Sequence, residues 1–366
     1  MAITGHFLSN STPEVIVRTL HEAGYDVAPR YLPRFLKMVA LSLPTHPFGA
    51  VERVLHRPKI ARTELAGAPV FILGHWRTGS THIHNLMSQD AQFGYLDTFG
   101  AMFTNNVVVG GGTFKALMRK ISPTRRPMDD MAFGAELPQE EEYAMGNISS
   151  LSYYKQFSFP KLAGRYAKRH IFFDDVPQHE IDEWKSTYDF VLRQTTHRMG
   201  PKPLLLKNPP NTGRLRHLLD LYPDARVIYL HRAPYDVYLS TLRMREKVCN
   251  LMKLHDVSAE ESSEHVLETY PRLVGRFFAD LPRVRPGNFV ALRYEDLKAH
   301  PLDALQRIYE TLGLSGFGGV RERFAAYLET VADFRPATYR RDDAIHRLVE
   351  ERWGETHALH AGLAAS

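Results

Sequence analysis

The chain has 366 residues, of which 44% are hydrophobic and 24% are charged, and its formal net charge is +5. These values are typical of a folded protein and exclude wholesale disorder. The single cysteine, Cys249, excludes a disulfide within the chain and a metal site built from cysteines. Because the sequence contains no secretory signal and no apolar run long enough to span a bilayer, we expect a cytoplasmic protein, with peripheral membrane contact left open.

Residues 1–60 are predicted to form an N-terminal helical arm or cap. Thr12 is placed to cap a helix that starts with Pro13, and Ile16, Leu20 and Ala23 follow at helical spacing. A second apolar helical segment, YLPRFLKMVALSL, comes next. Its amphipathic character also allows a role at a membrane surface.

Four short apolar runs that lack alternation predict buried parallel strands. They lie at residues 69–74, 204–207, 225–232 and 288–297, and helical segments are predicted at about 80–90, 211–222, 235–250 and 260–281. Strands that alternate with helices favour an α/β fold of three layers with a parallel sheet of the P-loop type. We expect this domain to cover 61–330, with a helical and loop insertion at about 100–200 that shapes a substrate site. The remaining residues, 331–366, are predicted to form a basic helical tail.

The loop after the first predicted strand nearly matches a phosphate-binding loop. Gly74, Gly79 and Thr81 occupy the positions required by G-x-x-x-x-G-K-[ST], but Ser80 replaces the lysine and Arg77 precedes it. A glycine turn between a strand and a helix directs backbone N–H groups and the positive end of the helix toward an anion. The loop therefore predicts a site for a phosphate-bearing ligand, but it lacks the lysine that ATP hydrolysis uses.

A second cationic turn, RAPYDVYLS, follows the third predicted strand. Arg232 leaves the strand, Pro234 starts a helix, and Asp236 and Ser240 share one helix face because they are four residues apart. In an open parallel sheet, ligands gather at the carboxyl ends of the strands, where Arg232 and Arg77 are both expected. Two cationic turns at one edge predict a ligand with two separated phosphates.

Together these motifs resemble those of the sulfotransferase family, which uses 3′-phosphoadenosine 5′-phosphosulfate, PAPS. RTGST and RAPYDVYLS match the two nucleotide-binding motifs of that family, YEDL at 294–297 is also frequent in it, and the stretch 204–232 is similar to that of its bacterial and Golgi-type members. The resemblance covers about 69–300. It implies that the 3′-phosphate binds Arg232 and Ser240, and that the 5′-phosphosulfate is held by Arg77, Thr78, Gly79, Ser80 and Thr81.

The resemblance also suggests which groups carry the chemistry. Lys207 resembles the lysine that touches the sulfonate, and a cation there, or Arg77, stabilises negative charge on the leaving phosphate. Pro209 stands where cytosolic members have a histidine base. We expect Glu141, in the run Glu140–Glu142, to be the general base, followed by Asp97, although three adjacent glutamates are usually a solvated run.

Several other side chains are assigned weaker roles from the sequence. His75 and His82 flank the loop and are expected to pack or to orient ligands rather than to act as the base. Trp76 and Tyr294 are candidates for an adenine slot. A basic C-terminal set resembles a family segment that closes over the donor, but it lacks the G-x-x-G-x-x-K form of that segment; its members are Arg335, Arg340 and Arg341.

The sequence therefore predicts a PAPS-dependent sulfotransferase that needs no metal and acts on a hydroxyl acceptor. A carbohydrate or lipid-linked glycan fits the resemblance, and a phenol or a lipid alcohol stays open. The alternatives are a P-loop kinase or NTPase, for which Asp174 or Asp175 would hold Mg²⁺, and a non-catalytic nucleotide-binding scaffold. No recognition motif for nucleic acid is present, and the oligomeric state is left open.

Overall fold

The sheet consists of the four apolar runs that the sequence marks as strands. In the computed structural model, which describes residues 7–126, 129–334 and 338–363, these strands are β1 Val70–Gly74, β2 Leu205–Lys207, β3 Arg226–His231 and β4 Phe289–Arg293. Every residue of β1 and β2 is buried. Such continuous burial is typical of parallel strands that are covered on both faces.

All neighbouring strands of the sheet are parallel, in the order β2-β1-β3-β4. In this register Ile72 pairs with Lys207, and Gly74 pairs with Leu230. The chain leaves β1 toward β2 on one side and leaves β3 toward β4 on the other. The crevice between the carboxyl ends of β1 and β3 is therefore the topological switch point, where open α/β sheets bind ligands.

Helices make up most of the rest of the described chain. In chain order they are α1 Pro13–Glu22, α2 Leu32–Ser42, α3 His46–Leu55, α4 Arg57–Ala61, α5 Ser80–Met87, α6 Thr98–Met102, α7 Gly111–Ile121, α8 Glu141–Ile148, α9 Ala163–Ala167, α10 Gln178–Met199, α11 Leu215–Leu221, α12 Pro234–Met252, α13 Ala259–Asp280, α14 Tyr294–Ala299, α15 Pro301–Thr311, α16 Phe317–Thr330 and α17 Asp343–Leu363. None of the helices in the described ranges is long and apolar enough to cross a membrane.

Most of the predicted elements are confirmed, and one is wrong at its end. The hydroxyl of Thr12 accepts a hydrogen bond from the N–H of Val15, as predicted for the cap of α1. The fourth strand was expected to run through 288–297, but it ends at Arg293 and α14 follows directly. Acidic residues in the first turn of α14, Glu295 and Asp296, favour a helix start over a longer strand.

The chain divides into two compact units, each built from separate segments. One contains the residues up to Ala66, Tyr95–Lys202 and Met244–Ser262, and the other contains Gly67–Gly94, Pro203–Arg243 and the residues from Ser263 onward. We call them the helical unit and the sheet unit, because all four strands lie in the second. The division into 1–60, 61–330 and 331–366 stays a prediction.

The core of the sheet unit packs helices against the parallel strands. Residues of β1, β3 and β4 such as Ile72, Ile228 and Leu292 are buried with side chains of α5, α15 and α16. This packing fixes the strands, so the loops at their carboxyl ends are held on a rigid base.

Candidate functional site

The loop between β1 and α5 has the backbone conformation of an anion-binding nest. Arg77 has φ 70° and Gly79 has φ 88°, both in the left-handed region. Left-handed residues that alternate with other conformations turn successive N–H groups toward one point. Gly79 is also the N-cap residue of α5. The N-terminus of a helix carries partial positive charge on its free N–H groups, which favours an anion. The backbone of the predicted phosphate-binding loop is therefore suited to bind an anion.

Gly79 is required by its neighbour as well as by its backbone. A Cβ built at this position would lie 2.4 Å from Cδ2 of Tyr294, the first residue of α14. A side chain at Gly79 would therefore clash with an aromatic ring that covers the loop. This contact brings the end of β4 to the same part of the sheet unit as the loop after β1.

The two cationic turns predicted from the sequence meet in the structure. Nε of Arg77 donates a hydrogen bond to Oγ of Ser240 at 2.9 Å. Nη1 of Arg232 donates to the backbone carbonyl of Arg77 at 3.4 Å. The loop after β1 and the turn after β3 therefore form one continuous group at the switch point of the sheet.

Arg232 is held in place by contacts that leave part of its guanidinium group unused. Nη2 donates to Oδ2 of Asp236 at 3.0 Å, and the guanidinium carbon lies 4.6 Å from the ring centroid of Tyr294. Its Nε is buried and has no hydrogen-bond partner among the described residues. A buried N–H without a partner, on a positioned cation, fits an anionic ligand such as a phosphate.

The three hydroxyls of the loop differ in how they are used. Oγ1 of Thr78 donates to the carbonyl of His75 at 2.8 Å and is directed into the loop. Within the described part of the chain, no hydrogen bond is formed by the hydroxyls of Ser80 and Thr81. Thr78 is therefore a structural member whose N–H can face a ligand, whereas Ser80 and Thr81 can offer their hydroxyls.

Lys207 ends β2 at the same edge of the sheet. It is 2% exposed and lies beside β1, since it pairs with Ile72. Just beyond it, Thr212 binds the last residue of β1 twice: its hydroxyl accepts from N–H of Gly74 at 2.8 Å and donates to the Gly74 carbonyl at 3.0 Å. The sequence alone predicts no role for Thr212, because no local motif marks its contact with β1.

The histidines around the loop are packed inside the sheet unit. Burial lowers the pKa of His75 to about 4, and its ring lies edge-on to Tyr270 with the centroids 5.0 Å apart. Burial also lowers the pKa of His82. Trp76 is 7% exposed, with its ring against His75. These contacts fit the predicted packing role of the histidines, and the adenine slot stays a prediction.

Comparison with known proteins identifies the family. A family profile described as "Sulfotransferase family" matches residues 69–317, well over half of the chain. The chain belongs to the sulfotransferase family. The omega-hydroxy-beta-dihydromenaquinone-9 sulfotransferases Stf3 of Mycobacterium bovis and Mycobacterium tuberculosis are 29% identical over 336 residues, covering 92% of this chain and 84% of theirs.

Two solved structures share the fold of this sulfotransferase. Sulfotransferase STF9 from Mycobacterium avium has a TM-score of 0.67 at 21% identity, over 94% of this chain and 86% of that chain. Sulfotransferase STF1 from Mycobacterium tuberculosis H37Rv has a TM-score of 0.65 at 20% identity, over 94% of this chain and 93% of that chain. The predicted α/β fold and enzyme class are thus confirmed, whereas the roles of single residues stay predictions.

In the helical unit of this sulfotransferase, the glutamate run is buried rather than solvated. Glu141 and Glu142 are both 0% exposed. Oε2 of Glu141 accepts a hydrogen bond from the hydroxyl of Tyr188 at 3.1 Å, and Oε1 of Glu142 accepts from N–H of Tyr153 at 2.6 Å. The alternative of a solvated run is therefore wrong for these two residues.

Asp97, also in the helical unit, is surrounded by cations. It caps α6 by accepting from N–H of Gly100 at 2.8 Å, and it pairs with Arg198 at 3.0 Å and with Lys115 at 3.2 Å. Burial acts to raise the pKa of Asp97, but the hydrogen bond and charge of Arg198, with help from Gly100 and Lys115, hold it below the ordinary value. These contacts favour a permanently ionised structural group.

The basic segment before α17 is attached to the start of α12. The hydroxyl of Tyr235 donates to the carbonyl of Arg340 at 3.0 Å and accepts from N–H of Asp342 at 2.8 Å. Tyr235 lies three residues beyond Arg232, so this attachment brings Arg340 and its neighbours to the second cationic turn. Arg335 lies outside the described residues.

Proposed function

We propose that this sulfotransferase moves a sulfonate group from PAPS to a hydroxyl acceptor by in-line displacement. The observation that carries the proposal is the junction of the two cationic turns, where Arg77 donates to Ser240 and Arg232 donates to Arg77. One anionic ligand with two phosphate groups fits this junction, because each turn offers its own guanidinium group.

In this proposal, different residues of the sheet unit bind different parts of the donor. The nest at 77–79, the hydroxyls of Ser80 and Thr81, and the N-terminus of α5 hold the 5′-phosphosulfate. The unused Nε of Arg232 supports a 3′-phosphate there, with Ser240 as the second group. Tyr294 covers both turns, since it contacts Gly79 and the guanidinium group of Arg232.

Two cations of the sheet unit act on the charge that develops during transfer. When bound, PAPS supplies the sulfonate group and a phosphate leaving group. Lys207, buried at the end of β2, and Arg77 stabilise the negative charge that grows on the leaving oxygen. A fixed cation in a buried position does this more effectively than one in water, because the surroundings screen it less.

Glu141 is the preferred general base, ahead of Asp97. Glu141 is buried and is positioned by the hydrogen bond that it accepts from the hydroxyl of Tyr188, and a positioned carboxylate can serve as a general base. Asp97 instead has a lowered pKa and is paired with Arg198 and Lys115. A carboxylate held by two cations accepts a proton poorly, so we assign Asp97 to the structure of the helical unit and proton transfer to Glu141.

The acceptor is proposed to be a lipid alcohol. The support comes from the relatives named omega-hydroxy-beta-dihydromenaquinone-9 sulfotransferase, which match over 92% of this chain. Such an acceptor would place its reacting hydroxyl at the end of a long apolar molecule. Carbohydrates and phenols are the alternatives that an acceptor panel separates from it.

The proposed function is tested by transfer of label from PAPS to a panel of lipid alcohols, glycans and phenols. Lys207→Ala is expected to lower the transfer rate by at least about a hundredfold, because one electrostatic contact to the transition state is lost. Lys202→Ala is the matched control, since Lys202 immediately precedes the residues that lead into β2. Undiminished transfer by Lys207→Ala would remove Lys207 from the mechanism, and no transfer to any acceptor class would contradict the activity.

The donor assignment has a separate test in ligand binding. We expect adenosine 3′,5′-bisphosphate to raise the melting temperature more than ATP with Mg²⁺, since a ligand bound only by the folded state stabilises it. Arg232→Lys should reduce the preference for the bisphosphate over adenosine 5′-phosphate roughly tenfold, because lysine keeps the charge but loses the planar fork. Arg226→Lys, at the opposite end of β3, should keep the preference. A larger shift with ATP would favour a kinase or NTPase.

A further inference from the structure

Helix α2 in the helical unit presents an apolar face to solvent. Leu32 and Leu36 are exposed at 47% and 56%, and Leu43, just past the end of the helix, at 57%. Residues four and seven positions apart lie on one side of a helix. On the other side of α2, Met38 and Ser42 are buried. The helix therefore has an outward apolar face that its inward packing leaves uncovered.

Helix α3 also exposes apolar side chains to solvent, and one of them is more exposed than those of α2. Val51, Val54 and Leu55 are 44%, 73% and 56% exposed, and Phe48 lies on the same side one turn earlier. The buried residues of α3 are the small Gly49 and the charged Glu52. An ordinary surface helix buries its apolar face and exposes its polar face, so α3 has the reverse pattern.

The exposed face of α3 continues onto α7. The rings of Phe48 and Phe114 are in contact, with their centroids 5.0 Å apart. Leu117 and Ile121 follow Phe114 at three and seven residues, on the same face of α7, and both are exposed. Contiguous exposed apolar side chains of this extent mark an interaction site rather than scattered surface residues.

In the stretch that carries α2 and α3, all exposed charged side chains are positive. Residues 29–63 contain one carboxylate, Glu52, which is 3% exposed and accepts hydrogen bonds from N–H of Val108 and Val109. The same stretch contains seven cationic side chains: Arg30, Arg34, Lys37, Arg53, Arg57, Lys59 and Arg62. Of these, Lys37, Arg53, Lys59 and Arg62 form no ion pair within the described ranges.

We propose that the outward faces of α2, α3 and α7, with their flanking cations, form a docking surface for an anionic lipid bilayer. Apolar side chains enter the boundary between headgroups and acyl chains, while lysine and arginine bind anionic headgroups. A second copy of the chain fits less well, because it would place Lys37, Arg53, Lys59 and Arg62, which form no ion pair in the described part of the chain, against the same cations of its partner. The surface would bring the enzyme to acceptors that are dissolved in the membrane.

This inference goes beyond the proposed function and can fail independently of it. Vesicle binding needs neither PAPS nor an acceptor, and α2, α3 and α7 belong to the helical unit whereas the cationic turns belong to the sheet unit. If the docking surface binds lipid while no lipid alcohol is sulfonated, the docking proposal stands and the acceptor proposal fails. The opposite result leaves the acceptor proposal standing alone.

The experiment is flotation of the full-length protein with vesicles of phosphatidylcholine, with and without phosphatidylglycerol. We expect binding only to the anionic vesicles and its loss at high salt. Val54→Glu should weaken binding roughly tenfold, because a charge enters the apolar boundary, and Lys37→Gln should weaken it about fivefold. Leu359→Glu is the matched control, since Leu359 is also an exposed leucine on a helix, α17, and it should bind like the unmodified protein.

Three results would overturn the docking surface. The first is no binding of the unmodified protein to anionic vesicles, and the second is equal binding by Val54→Glu. The third is self-association that covers the same faces: a dimer in size-exclusion chromatography that Val54→Glu converts to a monomer would assign α3 to a protein interface. Melting temperatures close to that of the unmodified protein would show that Val54→Glu and Lys37→Gln are folded.

Discussion

The guanidinium group of Arg77 donates a hydrogen bond from Nε to Oγ of Ser240, at 2.9 Å. This bond joins the loop after β1 to α12, so the two turns assigned to the two phosphates of the donor are mechanically connected. Arg77 also has φ 70°, a left-handed conformation that a side chain such as arginine rarely adopts. Ser240 therefore helps to hold Arg77 in its strained position.

Removing the hydroxyl of Ser240 should affect both turns at once. We expect Ser240→Ala to weaken binding of adenosine 3′,5′-bisphosphate about tenfold. The double variant Arg77→Ala, Ser240→Ala should lose less binding free energy than the two single variants lose in sum. Isothermal titration calorimetry measures the three variants. Ser88→Ala is the control, because the Ser88 hydroxyl binds the backbone of Asn85 at the far end of α5. Strictly additive losses would mean that Arg77 and Ser240 act separately.

Gly79→Ala should destabilise the sheet unit and abolish donor binding. The new Cβ would meet the ring of Tyr294 at 2.4 Å, in addition to the strain of φ 88°, and together these should lower the free energy of unfolding by about 2–4 kcal/mol. Urea denaturation measures the loss. Gly287→Ala isolates the strain, since Gly287 has φ 81° but no atom near its Cβ position, and it should lose only about 1 kcal/mol.

A double variant separates the two contributions at Gly79. Truncating the ring in Gly79→Ala with Tyr294→Ala removes the clash but keeps the left-handed backbone. If the double variant is as unstable as the two single changes combined, the contact between Gly79 and Tyr294 is not what excludes a side chain there.

The sheet and its two turns could be predicted from the sequence because their signals are local. A short apolar run, a glycine or proline after it, and a helical spacing beyond it identify β1 with its loop and β3 with α12. Parallel order then places Arg77 and Arg232 at one edge, as the structure confirms. The predicted end of β4 is wrong because Tyr294 and Leu297 of YEDL are apolar and extend the strand pattern. The signal for a helix lies only in Glu295 and Asp296.

Contacts between distant segments could not be predicted in the same way. Burial of Glu141 depends on Tyr188, which belongs to a helix far along the chain. The double hydrogen bond between Thr212 and Gly74 and the cover of Tyr294 over Gly79 also join separate segments. A sequence lists these residues without their neighbours, so only the folded chain distinguishes a buried carboxylate from a solvated one.

Buried histidines should make the protein less stable as the pH falls below neutral. Burial lowers the pKa of His84 to about 3, with the charge of Lys207 as a second cause, and burial lowers the pKa of His75 to about 4. Their pKa values in the unfolded chain are higher, so the unfolded state binds more protons between the two values. Stability is complete above the unfolded pKa and falls below it, by up to about 1.4 kcal/mol per pH unit for each histidine.

Urea denaturation between about pH 7 and about pH 5 checks this dependence. His84→Gln should give a shallower slope than the unmodified protein, because one buried histidine no longer has to be charged on unfolding. His179→Gln is the control, since His179 is exposed on α10, and its slope should be unchanged. An equal slope for His84→Gln would mean that other groups produce the loss of stability.

Substitutions of Glu141 and Asp97 should have different effects, because we assign Glu141 a catalytic role and Asp97 a structural one. Glu141→Gln keeps the shape of the side chain but removes the base, so transfer should fall by at least about a hundredfold while the melting shift with adenosine 3′,5′-bisphosphate is kept. Asp97→Asn should retain transfer but lower stability, because Arg198 and Lys115 lose the charge that they pair with.

The pH dependence of Asp97→Asn distinguishes these roles further. The pKa of Asp97 is below its ordinary value in the folded state, so its contribution is present above the unfolded pKa of about 3.9 and is lost as the pH falls through the folded value. The stability difference between Asp97→Asn and the unmodified protein should therefore be constant near neutral pH and shrink in acid. A variant at Asp97 that keeps its stability but loses transfer would exchange the two assignments and make Asp97 the base.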